Sequence, residues 1–155
     1  MFLAVSALFR QAQFANWRAT ENGGKMGQSA FKIDGASYNI SIINLTRKAI
    51  IKDGKNAGNV MSGEYVRDVV GTYYNYTITI GTKNLDAVEY DNLFEVLSAP
   101  VDFHSVEMPY GQGVITFDAY ITDVSDELRR MRDEGNLWAN LDITFYAKSP
   151  KRYPT

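Results

Sequence analysis

Residues 52–82, KDGKNAGNVMSGEYVRDVVGTYYNYTITIGT, constrain this chain more than any other stretch. A polar, glycine-spaced segment of about a dozen residues leads through Glu64, Tyr65, Val66, Arg67 and Asp68 into an alternating run. In that run Tyr74, Tyr76, Ile78 and Ile80 fall on one face, and Asn75, Thr77 and Thr79 fall on the other. This period-two pattern predicts a half-buried strand. The segment before it cannot bury itself in a small β-rich domain. Its backbone donors and acceptors need water, each other, or another molecule.

The rest of the chain supplies strands and one helix. Phe31 and Ile33 precede Asp34-Gly35, and Tyr38, Ile40 and Ile42 follow, which predicts a strand, a tight turn and a second strand. Asp86 caps a predicted helix, and Glu89 stands three residues on, as in a capping box. Tyr90, Leu93, Phe94 and Leu97 form its apolar stripe, and Pro100 stops it. That stripe reads as core packing, worth roughly 1.5–3 kcal/mol per large side chain buried. A short strand from Val101 to Met108 ends at Pro109, and Tyr110-Gly111-Gln112-Gly113 makes a turn. Ile115, Phe117, Ala119 and Ile121 alternate in the next strand, and Leu141, Ile143 and Phe145 belong to a last one. Residues 125–135 are charged and read as a short helix or an exposed connection. Residues 148–155 read as a polar, mobile tail, with 151–155 outside the domain.

Residues 1–25 stand apart as an N-terminal extension. The apolar patch from Phe2 to Phe9 lacks a basic segment before it, so export by this segment is not expected. Asn22-Gly23-Gly24-Lys25-Met26 can be encoded by a string with GGAGG just ahead of ATG, the layout of a bacterial ribosome-binding site. On that reading the natural start is Met26 and the extension is upstream sequence; on the other, it is a docking helix. Residues 26–150 then make a single β-rich domain.

Composition excludes several function classes. The 155 residues have no cysteine, so disulfides, thiolate catalysis and cysteine-ligated metals are absent. His104 is the single histidine, too few for a histidine metal site or a Ser-His-Asp triad within one chain. A net charge of -2 gives no broad attraction to nucleic acid or anionic lipid. Arg129, Arg130 and Arg132 are offset by Asp126, Glu127, Asp133 and Glu134, a solvated pattern without sequence-specific nucleic-acid character. No apolar run reaches the ~20 residues of a membrane span. Carboxylate pairs such as Asp102 with Glu107, or Asp118 with Asp123, would need a cleft and a raised pKa to act as acid and base. Gly54-Lys55-Asn56-Ala57-Gly58 lacks the Gly-Lys-Ser/Thr ending and following helix of a phosphate-binding loop. Asp53, Asn56 and Asn59 lack the twelfth-position Glu of a calcium loop. The expectation is a non-enzyme with no catalytic residues, metal or cofactor.

Asp53-Gly54-Lys55-Asn56-Ala57-Gly58, then Ser62-Gly63, Arg67-Asp68 and Gly71-Thr72-Tyr73-Tyr74, carry a resemblance. The helix at 86–98 and the closing Trp138 with Leu141-Asp142-Ile143-Thr144-Phe145 follow in the same order. Between residues 31 and 150 the chain resembles small tail structural proteins of long-tailed phages and prophages of Gram-positive bacteria, of the tail-tube or distal-tail type. The resemblance implies a mainly β fold with one flanking helix, an α+β β-sandwich or barrel assembled as rings or a tube. It implies partners that are further copies of the chain and other tail proteins, with assembly in the bacterial cytoplasm and final location in the virion tail. In that family a long loop or hairpin reaches a neighbouring subunit. The matching assembly loop is Lys52, Asp53, Gly54, Lys55, Asn56, Ala57, Gly58, Asn59, Val60, Met61, Ser62 and Gly63, with Arg67. The alternative is a monomeric β-sandwich binding module, for instance one that binds carbohydrate through exposed Tyr73, Tyr110 or Trp138.

Overall fold

The computed structural model describes residues 31–81 and 86–155. The readings of residues 1–25 and of a start at Met26 lie outside the described residues. The first strands are β1 (Lys32–Ile33) and β2 (Ala36–Ser37). Between them, Asp34 and Gly35 take positive φ angles of 50° and 81°, as a two-residue hairpin turn requires. Two 13-residue strands, β3 (Ser41–Asp53) and β6 (Val69–Gly81), pair antiparallel along their length. Between them lie β4 (Gly58–Asn59) and β5 (Tyr65–Val66), a separate two-stranded sheet. The helix α1 (Ala87–Leu97) is followed by β7 (His104–Tyr110), β8 (Gly113–Tyr120), β9 (Val124–Arg132) and β10 (Gly135–Ala147).

The main sheet has the order β2-β1-β7-β8-β10-β6-β3, with β9 paired to β10. It is an open path and not a closed barrel among the described residues. β10 joins its two halves: Leu141 to Phe145 pair with β6, while Tyr146 and Ala147 pair with β8. The β7–β8 half folds over the β6 half. Tyr76 lies 5.7 Å from Phe117 by ring centroids and donates to the Pro109 carbonyl at 2.8 Å. The core between the halves includes Tyr76, Ile78, Ile80, Val106, Met108, Leu141, Ile143 and Phe145. The chain is thus mainly β with one described helix, in a sandwich-like arrangement.

The helix begins where its sequence indicates, with the Asp86 side chain accepting from the Val88 N–H at 3.3 Å. Glu89 accepts from the Asn39 N–H at 2.9 Å, tying α1 to the approach to β3. Tyr90, Leu93 and Leu97 are buried, whereas Phe94 is only half-buried. Among the described residues no helix is long and apolar enough to cross a membrane.

Three local readings need correction. Residues 125–135 are neither helix nor open connection, because β9 pairs with β10 across them and turns through Asp133-Glu134. Cross-strand pairs such as Leu128 with Trp138 supply what the charged sequence does not advertise. β7 continues through Pro109 to Tyr110. Tyr110 pairs with Gly113 to close a two-residue hairpin, so the Pro109 nitrogen points away from β8, and β1 ends before reaching it. The tail is also paired: Thr72 N–H donates to the Arg152 carbonyl at 2.8 Å, and Lys151 N–H to the Thr72 carbonyl at 2.9 Å.

Candidate assembly arm

The expected assembly loop is an ordered hairpin arm at the end of the β3–β6 ladder. Asp53 pairs with Val69 at the last rung. Beyond it, Gly54 N–H donates to the Asp68 carbonyl at 2.6 Å, and Asn56 N–H to the Asp68 carboxylate at 3.2 Å. Gly54 has a steric role here, since a Cβ at this position would stand 2.6 Å from Asp68 Oδ2. Ala57 N–H returns to the Gly54 carbonyl, which makes a turn of Gly54, Lys55, Asn56 and Ala57.

The outer half of the arm is the β4–β5 hairpin. Gly58 pairs with Val66 and Asn59 with Tyr65. The tip closes through Val60 N–H to Glu64 and Gly63 N–H to Val60, both 2.9 Å. Gly63 sits at φ 85°, a left-handed conformation that glycine adopts without steric cost. Ser62 and Met61 form the exposed turn.

Charge fixes the base. Arg67 grips Asp53 with Nη2 at 2.8 Å and Nε at 3.1 Å from Oδ1, and Nε also reaches Oδ2 at 3.2 Å. That hydrogen bond, with the Asp53 charge, holds the Arg67 guanidinium pKa above its ordinary value. Lys52 turns outward, its Nζ 4.3 Å from the Tyr73 ring centroid. Residues 54–63 thus lie in the hairpin, Lys52 and Asp53 end the β3–β6 ladder, and Arg67 braces the junction through Asp53. The sequence reading of this region as a polar loop missed its apolar content. Val60 and Met61 are exposed, and Tyr65 and Val66 are 58% and 48% exposed. Strict alternation is too short here to signal strands, so only the pairing reveals which side chains share the hairpin.

The other candidate residues separate. Tyr73 lies under Lys52, on the β6 face opposite to Tyr74. Tyr110 packs edge-on against Tyr74. Trp138 lies far along β10, in a cleft of about 300 Å³ between α1 and β10, lined also by Ala87, Tyr90, Asp91 and Asn136. They do not make one aromatic platform. Glu107 pairs with Lys32 at 3.7 Å, and Asp118 with Lys148 at 3.9 Å. Asp118 and Asp123 line different clefts. His104 is buried, with Nδ1 2.7 Å from Asp34 Oδ2, while Asp34 Oδ1 accepts from the Ser105 N–H at 3.0 Å. This pair locks the β1–β2 turn onto β7.

No protein-family model matches this chain, and no curated protein matches it.

Proposed function

We propose that this chain is a non-enzymatic structural subunit that self-associates through the 54–68 arm, and that its assembly is a ring or tube of a phage or prophage tail. The observation that carries this reading is the arm's composition against its burial. An ordered hairpin, braced by its own backbone bonds and an ion pair, holds Val60, Met61, Tyr65 and Val66 in solvent. Clustered exposed apolar side chains with a polar surround mark interaction surfaces. The neighbouring β3 supports the same reading. Among the described residues it pairs only with β6, leaving a 13-residue edge, and Ile43 and Ile51 on it are exposed. Unprotected long edges invite pairing with another chain. The tail assignment rests on the sequence resemblance and brings with it other tail proteins as partners and the virion as final location.

The test is replacement of residues 55–61 by a short Gly-Ser bridge. Circular dichroism should stay that of the intact protein, because the arm adds little to the core. Light scattering at high concentration, or with neighbouring tail proteins, should show that rings or tubes no longer form. Rings of normal size from the bridged protein would remove the arm from assembly. An intact protein that stays monomeric with every such partner, and binds glycan as a monomer, would replace the subunit reading with that of a binding module.

A further inference from the structure

Two arginines converge on a pair of tyrosine hydroxyls at the end of the sandwich where the arm begins. Tyr110 donates from its hydroxyl to Tyr74 Oη at 3.1 Å, and the rings meet edge-on at 5.2 Å and 72°. Arg47 on β3 stands opposite Tyr76, with its guanidinium carbon 4.9 Å from the Tyr110 ring centroid. The Arg152 side chain hydrogen-bonds the Tyr74 phenol. The backbone bonds of Lys151 and Arg152 to Thr72 hold it there, two residues from Tyr74 on β6.

Among the described residues these guanidiniums have no carboxylate partner. The ion pairs among the described residues are Lys32–Glu107, Arg67–Asp53, His104–Asp34 and Lys148–Asp118, and none uses Arg47 or Arg152. Among the described residues, Arg152 hydrogen-bonds the Tyr74 phenol and Arg47 the Tyr76 phenol, and no carboxylate acts on Tyr74, Tyr76 or Tyr110. The hydrogen bond from Tyr110, with Arg152 and Arg47, holds the Tyr74 phenol below its ordinary pKa. Tyr74 Oη accepts from Tyr110, so its own O–H remains to donate. Arg47 and Arg152 are exposed, and guanidinium carries donors only. The result is a positively charged cluster in which the guanidiniums face phenol oxygens and, among the described residues, no carboxylate.

We propose that Arg47, Arg152, Tyr74 and Tyr110 form a binding site for an oxyanion, a phosphate or carboxylate group. The guanidinium fork matches either group, and stacking on Tyr110 pre-organises Arg47 for it. This site is independent of the assembly reading.

The experiment is titration of the isotope-labelled full chain with inorganic phosphate at constant ionic strength, followed by NMR of the arginine Nε–H groups and the Thr72 amide. Shifts of Arg47, Arg152 and Thr72 should saturate. Arg47→Gln and Arg152→Gln should each weaken binding about tenfold, and the double variant should abolish it. Arg130→Gln on β9 should leave it unchanged. A parallel titration with acetate separates the sources: tighter phosphate binding assigns a phosphoryl group, and equal or tighter acetate binding assigns a carboxylate. Amide spectra of each variant verify the fold, and Arg47→Lys, which keeps the charge without the fork, should bind more weakly than the native chain. Absence of saturation by either anion up to about 50 mM, or undiminished binding in the folded double variant, would overturn the proposal.

Discussion

Asp53 and Arg67 face each other across the foot of the arm, joined by a two-pronged ion pair with Nη2 2.8 Å from Oδ1. The pair stands where the β3–β6 ladder ends and the chain leaves to make the β4–β5 hairpin. Tyr65 adds its hydroxyl to the same carboxylate at 3.5 Å. One aspartate therefore couples the last rung of the sheet to both the return strand and its approach.

Arg67→Gln should loosen the arm without unfolding the domain. Exposed ion pairs contribute little to global stability, so the melting temperature should move by less than about 4 °C. Hydrogen exchange at Val60 and Val66 should quicken about tenfold, while Ile78 and Ile143 exchange as before. Equal acceleration in the core would show that the pair supports the whole fold.

Leu93→Ala should destabilise more than Phe94→Ala. Leu93 is fully buried and its truncation should cost about 2–5 kcal/mol. Phe94 is half-buried and leaves a smaller cavity despite its larger ring. Urea denaturation of the two variants checks the order, and the reverse order would place the Phe94 side of α1 on the core.

Tyr90 gives the alkaline limit of stability a local source. It is 5% exposed, and its hydroxyl donates to Asp126 Oδ2 at 2.6 Å. Burial, then Asp126, pushes its phenol pKa far above the ordinary value. The unfolded phenol titrates near 10, so this contribution is complete below about pH 10. Above that the unfolded state loses its proton first, and stability falls by up to about 1.4 kcal/mol per pH unit until the folded phenol titrates. Tyr90→Phe should cost about 1–2 kcal/mol at neutral pH. It should also flatten the decline measured by urea denaturation between about pH 10 and 11. Tyr38 and Tyr76 are pushed the same way by burial, so the decisive quantity is the difference in slope between the two proteins.

Gly71→Ala should unseat the C-terminal tail. A Cβ there would stand 2.6 Å from both the Arg152 carbonyl oxygen and Pro150 Cβ. Overpacking of this kind costs about 1–3 kcal/mol, and releasing the tail is the route that relieves it. Limited proteolysis should cut after Lys151 or Arg152 faster in the variant than in the native chain. Unchanged cleavage would mean that β6 shifts instead.

Periodicity made much of the fold legible. Tyr74, Tyr76, Ile78 and Ile80 are a core face, as their alternation predicts, and Tyr90, Leu93 and Leu97 line the buried side of a helix capped by Asp86. Asp34-Gly35 is a hairpin turn because those two residues tolerate positive φ. The position of the candidate arm was legible for a related reason, since a glycine-spaced polar stretch cannot continue a core strand.

What alternation, caps and turn residues determine is local: which segments are strands, where the helix starts, which side chains seek the core. Only the tertiary structure decided the rest. β9 is a strand because β10 lies beside it, although its Asp, Glu and Arg residues resemble a solvated segment. Glu89 took the Asn39 amide, and the polar tail found the open backbone of Thr72. Arg47 and Arg152, 105 positions apart in the sequence, flank one tyrosine pair through contacts with two different strands. Backbone pairing and charge convergence depend on distances in space between segments far apart in the chain. Hydrophobic period records only the side of its own element on which each residue lies.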